Sequence, residues 1–185
     1  LRRDPDNEQR IFDHSQSVFW VGYIAWQRGD AETARRYWTQ YHDQAQRLVQ
    51  LDSDNDDWQA ELEYSYSNLG TLELDQGNAA AAESHFRQSL LISSALMDKT
   101  PGDFERMISA GQSFAWLTDA LMAQLKFEEA RGLRLRELAL YEKMQFETPV
   151  NYVVMERELA AQRSLAIIDF YQDDLESANT HIVRA

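Results

Sequence analysis

The sequence contains no cysteine, which excludes disulfide bonds, thiolate metal sites and cysteine nucleophiles. Proline and glycine are scarce, with three and seven residues among 185, so little of the chain is available for loops. No apolar run approaches the roughly 18 residues of a membrane-spanning helix, and the first residues do not resemble a signal peptide. These absences favour regular structure with short connections.

Basic side chains are few relative to acidic ones. The chain has 18 lysine and arginine residues against 31 aspartate and glutamate residues, and its formal net charge is −13. A surface of this sign repels phosphate backbones and anionic lipids, so we expect neither nucleic acid binding nor membrane insertion. The acidity is typical of a soluble helical surface, and the alternative is that it attracts a basic partner.

Motifs for catalysis and cofactor binding are also missing. The sequence has no Gly-x-x-x-x-Gly-Lys, Gly-x-Gly-x-x-Gly or Gly-x-Ser-x-Gly, which removes support for phosphate-loop nucleotide binding and for hydrolase chemistry. Its four histidines lack metal-ligand spacing, and no carboxylate pair stands out as acid and base. We therefore expect no enzymatic activity, no catalytic residue, no metal and no cofactor.

One acidic segment has two interpretations. Positions 1, 3, 5 and 12 of an EF-hand calcium loop are occupied by the oxygen-bearing residues Asp52, Asp54, Asp56 and Glu63. However, Asp57 stands at position 6, where that loop requires glycine for its sharp turn. Acidic residues in the first turn of a helix, favoured by the helix dipole, explain the pattern better.

The main signal in the sequence is an internal repeat of 48 residues. Small residues, helix-capping residues and two apolar positions all recur at this spacing. The columns are Ala34, Ala82, Ala130 and Ala178; Asn7, Asn55, Asp103 and Asn151; Val21, Leu69, Leu117 and Leu165; and Trp26, Leu74, Met122 and Phe170. Pro5, Pro101 and Pro149 share one position and mark boundaries, because proline cannot continue a helix. The pattern predicts repeats at about 4–51, 52–99, 100–147 and 148–185, the last truncated.

Each repeat divides into two predicted helices. In the second repeat, Gly77 and Asn78 form a C-cap followed by an N-cap, and Gly70 provides a position where the partner helix can approach closely. Apolar residues at three- and four-residue steps indicate a buried face on every helix. About eight long helices leave almost nothing for strands.

The motifs of the first two repeats resemble the tetratricopeptide repeat, which has Leu-Gly in its first helix and Ala-x-x-x-Phe in its second. The second repeat has Leu69-Gly70, Gly77, Ala82-x-x-x-Phe86 and Leu90, and the first has Val21-Gly22, Gly29 and Ala34-x-x-x-Trp38. The pattern is lost at Thr118, Leu125 and Arg134 in the third repeat, and at Ala166, Asp173 and Ile182 in the fourth. The period exceeds the usual 34 residues, so both helices must be longer. HEAT-type repeats are closer in length but do not predict these motifs.

The resemblance implies an all-α, right-handed solenoid of antiparallel helix pairs, similar to tetratricopeptide-like repeats appended to larger bacterial signalling proteins. We expect residues 1–185 to form a single repeat domain, a fragment of a larger protein. The fragment carries no targeting information, and we expect a cytoplasmic location, with an extracytoplasmic one left open. In such arrays the first helix of each pair lines a concave face. The partner-binding residues expected there are Phe19, Tyr23, Tyr64, Asn68, Trp116, Asp119 and Arg163.

Two functions fit these expectations. The first is a protein-interaction scaffold that binds a peptide or a partner segment in the concave groove, which is aromatic and weakly polar. The alternative is a sensory or regulatory module that binds a small ligand or short peptide for an absent output domain. Packing between long helices is expected for Trp20, Trp26 and Trp116, whereas Tyr23 and Tyr64 are expected to be exposed, because a phenol tolerates water. A homo-oligomer formed through the cut C-terminal end is a further hypothesis.

Overall fold

The computed structural model describes residues 6–147 and 151–185, and this part of the chain forms eight α-helices and no β-strand. The helices are α1 Glu8–Gln27, α2 Ala31–Leu51, α3 Asp56–Asp75, α4 Ala79–Lys99, α5 Phe104–Met122, α6 Phe127–Glu147, α7 Tyr152–Tyr171 and α8 Leu175–Arg184. The predicted all-α fold class is confirmed. Pro5, Pro149 and the repeat boundaries predicted at residues 4 and 148 lie outside the described residues.

Polar side chains cap the first helix of every repeat. The capping residues are Asn7, Asn55, Asp103 and Asn151, which precede α1, α3, α5 and α7. The Asn55 Oδ1 atom, for example, accepts hydrogen bonds from the backbone N–H groups of Asp57 at 3.0 Å and Trp58 at 3.3 Å. These bonds satisfy donors that the first helical turn leaves without a partner. The capping role predicted from the spacing is confirmed.

The turn inside each repeat has the same backbone geometry in all four copies. Its backbone N–H bonds run from Asp30 to Ala25 (2.9 Å), Asn78 to Glu73 (2.8 Å), Lys126 to Leu121 (3.0 Å) and Asp174 to Asp169 (2.9 Å). This is the Schellman arrangement, which needs one residue in the left-handed region. Gly29 and Gly77 provide it with φ of 76° and 78°, while Leu125 and Asp173 adopt 59° and 60°. The turn therefore persists where glycine has been lost.

Leu125→Gly is expected to raise the free energy of unfolding by about 0.5–1 kcal/mol. The left-handed conformation costs an L-residue about 1–2 kcal/mol, and the greater unfolded-state entropy of glycine offsets roughly 0.5–1 kcal/mol of that gain. Leu125 is 72% exposed, so its removal loses little packing. Urea unfolding followed by circular dichroism measures the change.

The matched control for this prediction replaces the glycine at the same turn position of the second repeat, Gly77→Ala. A Cβ added at Gly77 meets no atom within 4 Å, so the left-handed backbone alone determines the result. Gly77→Ala should lower the free energy of unfolding by about 1 kcal/mol. A Leu125→Gly variant that is no more stable than the wild type would show that Leu125 is not strained.

Glycine faces a buried aromatic ring where the two helices of a pair cross in the first and second repeats. A Cβ on Gly22 would lie 2.5 Å from Trp38 Cδ1, and a Cβ on Gly70 would lie 2.5 Å from Phe86 Cε1. Both rings are buried. The close approach predicted at Gly70 is confirmed, and the Leu-Gly and Ala-x-x-x-Phe motifs are the two sides of this contact.

The third repeat makes this contact at a different point. Thr118 and Arg134 stand at the glycine and ring positions, but Gly111, seven residues earlier, faces Tyr141, seven residues later. A Cβ on Gly111 would lie 2.7 Å from Tyr141 Cζ. Because α5 and α6 are antiparallel, equal steps in opposite directions keep the two residues opposite each other. The crossing point has thus moved by about two helical turns.

The chain divides into two compact units, residues 1–96 and 97–185. In the first unit, a core cluster combines Trp38 of α2 with Leu69 and Leu72 of α3. The second unit has one cluster from α5, α6 and α7, containing Met107, Tyr141, Met144 and Val154, and another from α6 and α7, containing Leu138, Ala161 and Leu165. Each core therefore joins one helix pair to its neighbour, as in helical-repeat proteins.

Candidate functional site

In the first unit, side chains bridge α1 and α3 at three heights. The indole of Trp58 donates to Glu8 at 2.8 Å, the amide of Gln16 donates to Glu61 at 2.8 Å, and the indole of Trp26 donates to Asp75 at 2.6 Å. These bonds hold the two helices in one register along their length. We use the name aromatic face for the predicted partner-binding residues of these two helices, which are Phe19 and Tyr23 of α1 and Tyr64 and Asn68 of α3, together with Trp20 of α1.

Three rings of the aromatic face, those of Phe19, Trp20 and Tyr23, follow one another along α1, and Trp26 continues the row. Ring centroids lie 5.2 Å apart for Phe19 and Trp20, 5.6 Å for Trp20 and Tyr23, and 5.8 Å for Tyr23 and Trp26. These separations are typical of attractive aromatic pairs. Phe19 is half-buried, with its ring 5.5 Å from Tyr41 of α2. The row of rings therefore packs against the core at Phe19 and is exposed to solvent at Trp20 and Tyr23.

The predicted exposure of the tyrosines is confirmed, whereas the predicted burial of the tryptophans is confirmed only in part. Tyr23 and Tyr64 are exposed, as predicted, and Trp26 is half-buried, with its ring 5.7 Å from Trp38. The prediction that Trp20 packs between helices is wrong, because its side chain is 56% exposed.

Helical geometry explains the exposure of Trp20. α1 buries Val18, Gly22 and Ala25. Trp20 lies two residues from both Val18 and Gly22, about 200° around the helix axis from each, and so points to the opposite side.

The aromatic face is also acidic. α3 carries six carboxylates, of which Glu63 and Glu73 are buried, and no lysine or arginine. One of them, Glu61, accepts hydrogen bonds from Tyr41 Oη at 2.6 Å and from Gln16. Burial raises the pKa of Glu61, although these bonds oppose the shift. The face thus combines exposed rings with negative charge and no cation from α3.

In the second unit, two of the predicted residues line a common groove. Asp119 of α5 and Arg163 of α7 both contribute to a space of about 520 Å³. Its complete lining is Ala115, Asp119, Met122, Arg134, Ala160, Arg163, Ser164 and Ile167. We call this space the Arg134 groove. Trp116, also predicted to bind a partner, is half-buried in α5.

The interpretation of the sequence missed Arg134 as a site residue. Its side chain is 5% exposed, with Nη1 at 2.5 Å from Glu137 Oε2 and Nη2 at 3.4 Å from Asp119 Oδ1. The Glu137 side chain is 3% exposed, and burial raises its pKa to about 7, more than the pairing with Arg134 lowers it. The sequence did contain a signal for it, because arginine stands at the repeat position of Trp38 and Phe86. A buried cation at a core position requires partners.

A second groove lies between α7 and α8 and is largely apolar. It encloses about 580 Å³ and is lined by Arg163, Ala166, Ile167, Phe170, Tyr171, Ala178 and Ile182. Phe170, Tyr171 and Ile182 are exposed. The homo-oligomer hypothesis concerns this end of the chain and stays a prediction.

The acidic segment before α3 does not have the shape of a calcium loop. α3 begins at Asp56, which makes the second half of the proposed loop helical. Glu63 is buried and accepts a hydrogen bond from Ser89 Oγ at 2.6 Å. Asp56 and Asp57 lie in the first turn of α3, in agreement with the helix-dipole interpretation.

Comparison with known proteins identifies the fold. No family model and no curated protein matches the sequence. A crystal structure from Podosopora anserina, described as a kinesin light chain with nearly identical TPR-like repeats, aligns with 99% of this chain and 88% of that one. The TM-score is 0.52 and the sequence identity is 17%. The fold is that of tetratricopeptide-like repeats.

At this identity the likeness concerns the fold alone. It confirms the resemblance that rests on the Leu-Gly and Ala-x-x-x-Phe motifs, here with a 48-residue period. Tetratricopeptide-like repeats commonly mediate protein–protein interactions. In the described part of the chain, none of the helices combines the length and the apolar character that crossing a bilayer requires.

Proposed function

We propose that the chain is a protein-interaction scaffold whose first unit binds an extended peptide or a helix of a partner on the aromatic face. The observation that supports this function is the exposed row of rings on α1, with Trp20 outermost. Adjacent exposed aromatic side chains are uncommon on a soluble surface and are enriched at interfaces, where tryptophan and tyrosine often contribute most of the binding energy.

The chemistry of the aromatic face favours a partner with both apolar and basic side chains. Arginine or lysine can stack on Trp20 and Tyr23 through cation–π interactions. The carboxylates of α3 would attract the same side chains and orient the encounter, because α3 offers no cation to repel them. An acidic partner would be repelled by the exposed carboxylates of α3.

A peptide array tests this proposal. The purified chain is applied to peptides that combine an aromatic or leucine anchor with flanking Lys/Arg, beside the same peptides with Asp/Glu flanks. We expect selection of the basic set. For selected peptides, Trp20→Ala combined with Tyr64→Ala should weaken binding at least tenfold, since truncating central aromatic anchors typically costs about 2 kcal/mol or more.

The matched control removes exposed apolar side chains outside the aromatic face, with Leu91→Ala combined with Tyr152→Ala. Both double variants are first shown to retain the wild-type circular dichroism and urea midpoint. The control should bind as the wild type does. Equal binding by the aromatic-face variant, or no preference for basic flanks, would place the interaction elsewhere or reject it.

The alternative function, binding of a small ligand by a sensory module, is supported by a different feature. The Arg134 groove of the second unit is concave and brings together three charged side chains, Asp119, Arg134 and Arg163. Its size lies within the range of small-molecule sites.

A further inference from the structure

The Arg134 groove has a buried cation at a position where the first two repeats place an aromatic ring. Arg134 corresponds to Trp38 and Phe86, each of which packs on a glycine. In the third repeat Thr118 replaces that glycine. A charged side chain in this place loses hydration and must be compensated by partners.

The guanidinium of Arg134 is only partly compensated. Glu137 takes one N–H at 2.5 Å, but Asp119 lies at 3.4 Å, beyond the usual N–H···O range of about 2.7–3.2 Å. The Nε atom of Arg134 is buried and has no hydrogen-bond partner among the described residues. Because an unsatisfied buried donor is costly, an acceptor brought by a ligand would gain a strong charge-assisted bond.

The lining of the groove defines the ligand. The lining carries two cations, Arg134 and Arg163, and one carboxylate, Asp119, while the buried Glu137 pairs with Arg134 from outside the lining. Apolar side chains, among them Met122 and Ile167, make up most of the remaining wall. An anionic head and an apolar body are therefore both accommodated.

We propose that the Arg134 groove binds a small organic carboxylate. Its head is held by Arg134 and Arg163, and its aliphatic body lies against Met122 and Ile167. The carboxylate of the ligand takes the place of Asp119 at Nη2, and a rotation of the Arg134 side chain brings the buried Nε–H to its second oxygen, in the two-pronged geometry that arginine favours. This inference deepens the alternative function and does not depend on the aromatic face.

The role of Asp119 separates this site from an ordinary basic patch. Its carboxylate competes with the ligand for the same donor atom of Arg134. Removing its charge should therefore strengthen binding, whereas removing the charge of Arg163 should weaken it. Both side chains are exposed, so either substitution leaves the core intact.

The experiment follows the Arg134 Nε–H resonance by NMR while 4-methylpentanoate is added to the full chain. We expect a saturable shift of this resonance. Asp119→Asn should bind about fivefold more tightly and Arg163→Gln about fivefold more weakly, as expected for one charge pair at a partly exposed site. Lys143→Gln, which makes the same charge change outside the groove, should match the wild type.

Two further probes test the chemistry of the ligand. The alcohol 4-methyl-1-pentanol has the same body without the charge and should not bind. Inorganic phosphate has charge without the body and should bind more weakly than 4-methylpentanoate. The proposal is overturned by an unmoved Nε–H resonance, by equal binding of the alcohol or phosphate, or by an Asp119→Asn variant that binds no more tightly. None of these results bears on the aromatic face.

Discussion

Phe86→Ala should lower the free energy of unfolding by about 3–5 kcal/mol, the range typical of removing a buried phenylalanine. The Phe86 ring is fully buried and packs against the backbone of α3 at Gly70. Its removal leaves a cavity between two long helices whose separation the ring determines. Urea unfolding measures the loss, and Leu91→Ala, an exposed change on the same helix, should alter stability little.

A double-mutant cycle shows whether the ring and the glycine act together. Gly70→Ala alone should cost about 1–3 kcal/mol, because its Cβ would overlap the Phe86 ring. In the Phe86→Ala background the same change should become neutral or stabilising, since the methyl group enters the cavity and alanine has a higher helix propensity than glycine. Additive effects of the two substitutions would contradict a direct contact.

Glu137→Leu should destabilise the protein by about 3–5 kcal/mol at neutral pH, and Arg134→Met should cost less. Both substitutions break the same buried ion pair. Loss of Glu137 leaves a guanidinium that cannot release its proton. Loss of Arg134 leaves a carboxyl group that can accept one, because burial already raises its pKa to about 7.

The two variants should also differ in their dependence on pH. The pKa of Glu137 is higher in the folded state than the ordinary value of about 4.3. Its contribution to stability is therefore fully present below about pH 4.3 and is lost as the pH rises through about 7. Without Arg134 the folded pKa rises further, so the Arg134→Met variant should approach the wild type at pH 5 and fall below it at pH 8.

Unfolding free energies at pH 5 and pH 8 measure this difference. Glu137→Leu serves as the comparison, because it lacks the titrating group while the other carboxylates are unchanged. If Arg134→Met loses as much stability at pH 5 as at pH 8, Glu137 does not accept a proton in the folded state.

Local signals in the sequence were sufficient for most of the fold. Asn55 caps α3 through bonds to residues two and three positions away, and Gly77 supplies a left-handed turn, so both depend on neighbours in sequence. The Gly70–Phe86 contact could be predicted because Gly22 and Trp38 stand 48 positions before these two residues. Gly111 and Tyr141 have no such counterparts, and their contact required the three-dimensional arrangement of α5 and α6.

The candidate site was less predictable than the fold. The resemblance suggested one concave surface, and the structure places the predicted residues on separate units: Phe19, Tyr23, Tyr64 and Asn68 on the first, and Trp116, Asp119 and Arg163 on the second. Asp119 and Arg163 do share a groove. Arg134 was not predicted as a site residue because it stands at the repeat position of the core residues Trp38 and Phe86. The sequence pattern alone does not distinguish a buried ion pair from the loss of the motif.

The displaced crossing point in the third repeat has a consequence for protein engineering. Caps and turns are interchangeable between the repeats, because their geometry is the same in each copy described. The contacts between the two helices of a pair are not interchangeable. A consensus sequence averaged over the repeats would place a ring opposite Thr118, or leave Gly111 without a ring opposite it. Chimaeras of this chain should therefore be joined between helix pairs and never between the two helices of one pair.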